Sequence, residues 1–240
     1  MEKSSKKEVL AISSTTGVAS KRDLSGVNLS NTELLSIRFD GSNLAGANLS
    51  GANLSGSSFV NCNLTGADLS SANFTGASFE GAVLKGSILT FSTFTGADFT
   101  GADLREANFT NSKLSAAKFV KADLTRANLQ MTDACMACFE GSVMQNIHAR
   151  GASMIGSNFA RCDVRGANFL GTDLSNTDFT SADLRDADIL DAALTASKLI
   201  KTDIRGARLR RPDLTRANTE GLLYDPELND MVERYARMKR

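Results

Sequence analysis

The sequence predicts an all-β solenoid of stacked four-sided coils, closed at its C-terminal end by a short capping α-helix. Three observations lead to that fold class. An apolar residue recurs every five positions, phenylalanine recurs every 20 positions, and the last residues change to a helical pattern. Regular repeats of this kind are typical of solenoids, in which each repeat packs only on its neighbours.

The five-residue repeat runs from Leu24 to Leu214 without an insertion or a deletion. Of its 39 central positions, 20 are Leu and 12 are Phe, and the other seven are also apolar. A small residue commonly stands two positions before the central one, and Asn or Asp stands between them in 23 of the 39 units. The unit therefore reads A-(N/D)-(L/F)-(S/T/R)-G.

A spacing of five fits neither regular helix nor flat strand. Five residues turn a helix by about 500°, so an apolar stripe would drift away from one face. An extended strand fails because five is odd, and neighbouring residues of a strand face opposite ways. A chain that bends inward once per unit satisfies the pattern, and the Gly, Asn and Ser residues after each central position suit such bends.

The spacing of phenylalanine indicates how many bends close one coil. It fills eight of the nine central positions from Phe39 to Leu199 in steps of 20, and only four of the other 30. Four units therefore make one coil, and the 39 units make nearly ten coils. At the usual strand spacing this gives a rod roughly 45 Å long. We expect the phenylalanine rings to stack along one inner edge.

The units "GANLSGANLSGSSF", "GADLSSANFTGASF" and "GADFTGADLREANF" resemble the pentapeptide-repeat family, A(D/N)LXX, and the resemblance covers about residues 22–219. It implies a right-handed quadrilateral β-helix. We therefore expect three parts: a flexible N-terminal tail over 1–21, the β-helix over 22–219, and a C-terminal capping helix over 220–240.

The C-terminal segment predicts the capping helix. Asp225 is a suitable N-cap and Pro226 a suitable first helical residue. Leu228, Met231, Val232, Tyr235 and Met238 fall on one helical face, and basic residues end the segment. We interpret it as a lid on the last coil, with a partner-binding helix as the alternative. At the other end only "EVLAI" offers cap material.

The overall charge is balanced. Lys and Arg number 27, as do Asp and Glu, so a chain that imitates or coats nucleic acid as a whole is not indicated. No apolar run reaches the ~18 residues of a membrane span. The four cysteines do not look like an extracellular disulfide framework, which favours a cytoplasmic or other reducing compartment.

Cys135, Cys138 and His148 invite a metal or redox interpretation. A structural zinc site needs four ligands, however, and no second CxxC exists. We interpret these residues as tolerated substitutions in a stretch where the repeat drifts, and Cys62 and Cys162 as buried packing. No catalytic motif stands out, and a filled rod offers no concave site. We therefore expect no enzyme activity, no cofactor and no metal.

The outward residues of the two halves of the rod differ in how many charges they carry. Residues 24–97 carry four acids and two bases, and residues 98–218 carry 15 acids and 16 bases. One column holds Asp103, Asp163, Asp183 and Asp203, and a column two residues along holds Arg105, Arg165, Arg185 and Arg205. This pattern predicts a surface ion-pair network, with a docking stripe as the alternative. Further on, an acidic band over 173–191 precedes a basic end over 198–216.

Outward apolar and basic residues mark the candidate partner surface: Val83, Ile88, Phe91, Leu170, Leu190, Arg208, Arg210 and Arg211. We expect a non-catalytic protein-interaction or structural scaffold, a rigid component of a larger assembly. The alternative, implied by the resemblance, is a DNA mimic that binds a type II topoisomerase, as quinolone-resistance members of the family do. The family also includes photosynthetic or cyanobacterial regulators and secreted effectors. A protein partner is expected and nucleic acid is not; the oligomeric state stays open.

Overall fold

The structure is a computed structural model that describes residues 4–209, 213–230 and 232–233. Helix α1, Lys6–Ser13, comes first, a long bridged region follows, and a 3-10 helix, Pro226–Leu228, comes near the end. Parallel bridges join residues 20 apart, from Val18 and Arg38 to Asp203 and Leu223. Each bridge is a single paired residue between turns. The bridges give the coil length that the phenylalanine period predicts.

Each coil has four sides, and each side is one five-residue unit. The central residues of sides 1, 2, 3 and 4 follow in steps of 20 from Leu24, Leu29, Leu34 and Phe39 respectively. We call the residue before the central one the bridge residue, the residue after it the outer residue, and the next one the corner residue. Residues 20 apart therefore stack in one column on one side of the rod.

The bends lie at the corner residues. Every described corner residue has a positive φ, between 52° and 73°. The next N–H then closes the turn on the central carbonyl, as Ala47 does with Leu44 at 3.0 Å. Glycine is favoured at such a position because it has no Cβ to clash with the backbone. This explains why the repeat so often places Gly two residues after the central one.

The core is a filled stack of central side chains. Every central residue from Leu24 to Ile204 is at most 3% exposed. The rings of side 4, from Phe39 to Phe179, stack on each other with centroids 4.8–5.2 Å apart and interplanar angles of 3–20°. The predicted phenylalanine column is therefore confirmed.

The Asn and Asp bridge residues also hold the turns. Asn48 Oδ1 accepts the N–H of Ser50 at 2.9 Å and the hydroxyl of the same serine at 2.7 Å. The same bond recurs along the rod; for example, Thr125 N–H donates to Asp123 Oδ1 at 2.9 Å. Such Asx turns explain why the repeat prefers Asn or Asp here. The sequence placed these side chains outward but did not predict this role.

The N-terminal end differs from the predicted tail. Ser5 and Glu8 form a reciprocal capping box at the start of helix α1. Val9 is fully buried in the solenoid core, and Ser4 N–H donates to Asp23 O at 2.8 Å. Residues 6–13 thus form a helix whose Val9 side chain packs on the core. The letters "SKKE" carried that signal.

At the C-terminal end, Asp225 does not have the predicted role of a helix N-cap. Its carboxylate does not cap a helix; it accepts the N–H of Gly206 at 2.6 Å, which ties the segment to the last coils. Leu228 packs on the core and Val232 is 6% exposed. The predicted lid residues Met231, Tyr235 and Met238 lie outside the described residues. Among those described, no helix has the length and hydropathy to cross a bilayer.

Candidate interaction surface on side 2

The period of 20 sorts the predicted surface residues by side. Ile88 and Arg208 are bridge residues of side 2, Leu170 and Leu190 are its outer residues, and Phe91 is one of its corner residues. Val83 is a bridge residue of side 1 and so faces another way. The chain bends between Val83 and Ile88, so their nearness along the sequence does not place them on one side, and the assignment of these residues to one partner surface stays a prediction. Arg210 and Arg211 lie outside the described residues.

Apolar side chains extend along side 2. Ile88 is 45% exposed and Phe91 is 65% exposed. Leu170 and Leu190 are half-buried and lie in adjacent coils, because Gly171 N–H donates to the Leu190 carbonyl at 3.0 Å. The predicted stacking of the two leucines is therefore present. The two leucines lie four and five coils from Ile88, and Thr110, Gln130 and Arg150 occupy the outer column between them. Side 2 therefore carries two separate apolar patches, and such patches are typical of protein-binding surfaces.

A shallow groove of about 580 Å³ lies beside the leucines, at the edge between sides 2 and 3. Its lining includes Met131, Arg150, Gly151, Leu170, Gly171 and Asp191. A Cβ at Gly171 would meet no atom within 4 Å, so the groove is open at that point. Met131 Sδ instead covers Gly151, lying 2.8 Å from where a Cβ would stand.

The groove pairs an apolar floor with two opposite charges. Neither Arg150 nor Asp191 has an ion-pair partner within 4.0 Å among the described residues. The sequence did not assign either residue to the candidate surface. The signal was present in the columns, since Gly151 and Gly171 follow Met131 at steps of 20 and leave a depression beside Leu170.

The basic end is partly neutralised by the acidic band. Arg208 Nη1 lies 3.0 Å from Asp188 Oδ2, and Lys198 Nζ lies 3.0 Å from Asp178 Oδ2. Each pair joins residues 20 apart, so it connects neighbouring coils of one side. Arg208 therefore contributes an exposed guanidinium that is already bonded to a carboxylate.

The predicted ion-pair network lies on side 1. Arg165 bonds Asp163 at 2.7 Å and approaches Asp183 in the next coil at 3.7 Å, and Arg185 repeats the arrangement with Asp183 at 2.7 Å. The hydrogen bond from Arg165 holds the pKa of Asp163 at about 2. In the earlier coils Arg105 bonds Asp103 at 2.6 Å and approaches Asp123 at 3.8 Å, which adds Asp123 to the predicted network.

The cysteines and the histidine do not meet. By column, His148 lies on side 2, Cys135 on side 3 and Cys138 on side 4. Cys135 Sγ lies 3.2 Å from Ser153 Oγ. Burial raises the pKa of Cys62 to about 12 and that of Cys162 to about 11, so both thiols stay protonated. In the described ranges no cluster of three or more His, Cys, Asp or Glu side chains is arranged to hold a metal ion.

Comparison with known proteins agrees with this geometry. The model of the family described as pentapeptide repeats matches in eight copies, over residues 23–61, 62–101, 92–130, 102–146, 137–169 and 157–189. No curated protein matches the sequence.

Solved structures of pentapeptide-repeat proteins are also similar. HetL, involved in heterocyst differentiation regulation in the cyanobacterium Nostoc, is 23% identical with a TM-score of 0.51, and the match covers 92% of this chain and 94% of HetL. A trypsin-treated form of QnrB1, a plasmid-mediated fluoroquinolone resistance protein, is 18% identical with a TM-score of 0.48 over 83% of this chain and 96% of that one. A protein of the Arabidopsis thaliana thylakoid lumen is 31% identical, with a TM-score of 0.18, over 50% of this chain and 70% of its own. The HetL match supports the β-helical fold and nothing finer.

Proposed function

Because the chain belongs to the pentapeptide-repeat family, we propose that it is a non-catalytic scaffold that binds a partner protein through side 2 of its β-helix. One observation carries the proposal: Ile88, Phe91, Leu170, Leu190 and the groove beside them lie on one side of a rod whose core is filled. A rod of this kind keeps its surface side chains at fixed spacings, so a partner binds it without an ordering cost on the scaffold.

The partner that fits side 2 has an apolar segment flanked by charge. Leu170 and Leu190 offer an apolar contact two coils long, and Arg150 and Asp191 stand beside it with opposite signs. Apolar burial provides the affinity, and the two charges fix the orientation of the bound segment. Rim charges of this kind alter the association rate more than the affinity.

The ion pairs weigh against a DNA mimic. Such a mimic presents carboxylates with the spacing of phosphates and without cations between them. On side 1, Asp103, Asp163, Asp183 and Asp203 each bond an arginine two residues along. A gyrase supercoiling-protection assay tests this point directly: the scaffold proposal expects no protection, and protection by the intact chain would favour the mimic.

The scaffold proposal is tested by capture from a lysate of the source cells, followed by affinity measurement with the purified partner. We expect the double variant Leu170→Asp, Leu190→Asp to bind the partner at least about tenfold more weakly than the wild type, since it buries two carboxylates in an apolar contact. Val143→Asp is the matched control, because Val143 is an exposed apolar residue of side 1, 38% exposed. Equal affinity of all three proteins would refute side 2 as the binding surface.

A further inference from the structure

Three large apolar residues occupy corners that favour glycine. Among the described corner residues, Phe91, Met131 and Met136 are the ones with a large apolar side chain, at φ of 60°, 57° and 59°. A side chain strains the backbone in this region. These three are also 65%, 61% and 69% exposed, so burial within the chain offsets little of that strain. Large, exposed apolar side chains clustered on a rigid surface point to a contact made outside the chain.

All three corners border the same side. Phe91 and Met131 lie in the column between sides 2 and 3, and Met136 lies in the column between sides 3 and 4. We define the side-3 face as the four rows of side 3 between Phe91 and Gly156. Its bridge residues are Thr93, Lys113, Asp133 and Ser153, and its outer residues are Thr95, Ser115, Cys135 and Ile155.

The side-3 face carries one positive and one negative charge, in adjacent rows. Lys113 and Asp133 are both exposed bridge residues of the same column. Neither makes an ion pair within 4.0 Å among the described residues. The other positions of the face and its corners are apolar, small or neutral polar. On side 1, by contrast, four aspartates each form an ion pair with the arginine two residues along the chain.

We propose that the side-3 face binds the side-3 face of a second copy of this chain, with the two rods antiparallel. Reversal about a two-fold axis between the rows of Lys113 and Asp133 places each lysine opposite the aspartate of the other copy. Two opposite charges in adjacent rows therefore become two intermolecular ion pairs. An isologous interface requires this kind of self-complementarity.

The same reversal matches large residues with small ones. Phe91 falls opposite Gly151 of the other copy, where the Met131 thioether covers the glycine and offers a sulfur–aromatic contact. Met136 falls opposite Ala116, and Ile155 falls opposite Thr95. Thr93 and Ser153 then face each other as hydroxyls. The register that pairs the charges thus also places Met136 and Ile155 opposite smaller residues.

The size of the face sets the strength of the dimer. Four rows at strand spacing extend about 19 Å along the rod. A contact of this length is at the small end of specific interfaces, so the dimer forms reversibly and at high protein concentration. In this dimer the two side-2 surfaces meet along the shared edge of Phe91 and Met131. The dimer face shares Phe91 and Met131 with the edge of side 2, so the two proposals are separated by their variants, at Leu170 and Leu190 for the partner and at Lys113 and Asp133 for the dimer.

A charge swap tests the dimer by sedimentation equilibrium over a range of protein concentrations. We expect the wild type to dimerise reversibly, and Lys113→Asp and Asp133→Lys each to lose dimerisation by about tenfold or more, because each homodimer then pairs like charges. An equimolar mixture of the two variants recovers wild-type association, since both cross-pairs become Asp with Lys. Lys118→Asp is the matched control on side 4 and associates like the wild type.

The possible results are distinguishable. A wild type that stays monomeric at the highest soluble concentration overturns the proposal and leaves the face to another protein. A dimer that persists in both single variants, or a mixture that recovers nothing, overturns the proposed register. Each variant is checked for an unchanged unfolding midpoint, so loss of association is not loss of fold. Loss of partner capture by the side-2 variant leaves all these outcomes unaffected, which separates the two proposals.

Discussion

Side 1 has the same backbone in both halves of the rod but two different surface ladders. In the neutral half, Asn63 Nδ2 donates to Asn43 Oδ1 at 3.1 Å, and Asn43 Nδ2 donates to Asp23 Oδ1 at 3.2 Å. In the charged half, the same column holds Asp163, Asp183 and Asp203, and arginines bond them. Both kinds of bridge residue accept the N–H two residues on, at 3.1 Å for Asn63 and for Asp183.

The difference follows from hydrogen-bonding chemistry. An asparagine amide both donates and accepts, so a column of asparagines can bond to itself along the rod. An ionised aspartate only accepts, and a column of aspartates repels itself unless a donor lies between the members. Arg185 fills that place by bonding Asp183 at 2.7 Å and approaching Asp203 at 3.8 Å. The Arg column of the charged half is therefore a structural consequence of its Asp column.

The largest expected effect on stability comes from the buried phenylalanine column, which the two halves of the rod share. Phe59 stacks on Phe39 and Phe79, and Phe159 stacks on Phe139 and Phe179 at similar distances. Both side chains are fully buried. We expect Phe59→Ala and Phe159→Ala each to lower the free energy of unfolding by about 3–5 kcal/mol, as measured by urea denaturation. A loss more than twice as large in one half than in the other would show that the surface ladders govern core stability.

A smaller effect is expected when the charged pattern is placed in the neutral half. Asn63→Asp keeps the Asx turn but removes the donor to Asn43 and sets a carboxylate against its carbonyl oxygen. We expect a loss of about 0.5–1.5 kcal/mol in the free energy of unfolding at neutral pH. Adding Thr65→Arg supplies a guanidinium at the position that Arg105 has beside Asp103. Most of the loss should then be recovered in a double-mutant cycle, and an unimproved double variant would contradict the account.

The periodic part of the molecule was predictable from the sequence because one rule governs every unit. The Phe39–Phe179 column, the burial of Cys62 and Cys162 and the Asp–Arg columns of side 1 all follow from steps of five and 20. Ile88, Phe91, Leu170 and Leu190 were predicted to be outward for the same reason. Their common side follows from the period of 20, and the same period places Val83 on side 1.

The ends and the groove were harder because no repeat governs them. Helix α1 depends on a short capping box and one fully buried side chain, Val9, which a composition rich in Lys and Ser conceals. The contact of Asp225 with Gly206 depends on where the chain folds back, and no local pattern encodes that. The groove arises where Gly171 leaves space beside Leu170. Predicting it from the sequence therefore requires comparison of the corner column with the outer column beside it.

The smallest expected effect is the pH dependence of the charged ladder. The pKa of Asp163 is about 2 in the folded protein, below the ordinary value of about 4 in an unfolded chain. The stabilisation from this pair is therefore fully present above about pH 4 and is lost as the pH falls toward about 2. Both partners are partly exposed, so solvent screening limits the contribution to about 0–1 kcal/mol.

Arg165→Gln isolates that contribution. We expect the variant to be slightly less stable than the wild type at pH 7, and the two stability curves to converge between about pH 4 and pH 2, as thermal unfolding would measure. The carboxyl carbon shift of Asp163 should titrate at a higher pH in the variant, because the guanidinium that lowers the pKa is gone. Arg150→Gln is the control, since Arg150 lies outside the ladder, on side 2. A difference in stability between Arg165→Gln and the wild type that stays constant across the whole pH range would contradict this account. It would mean that Arg165 stabilises the rod by packing its aliphatic stem, and that the Asp column does not depend on the charge of Arg165.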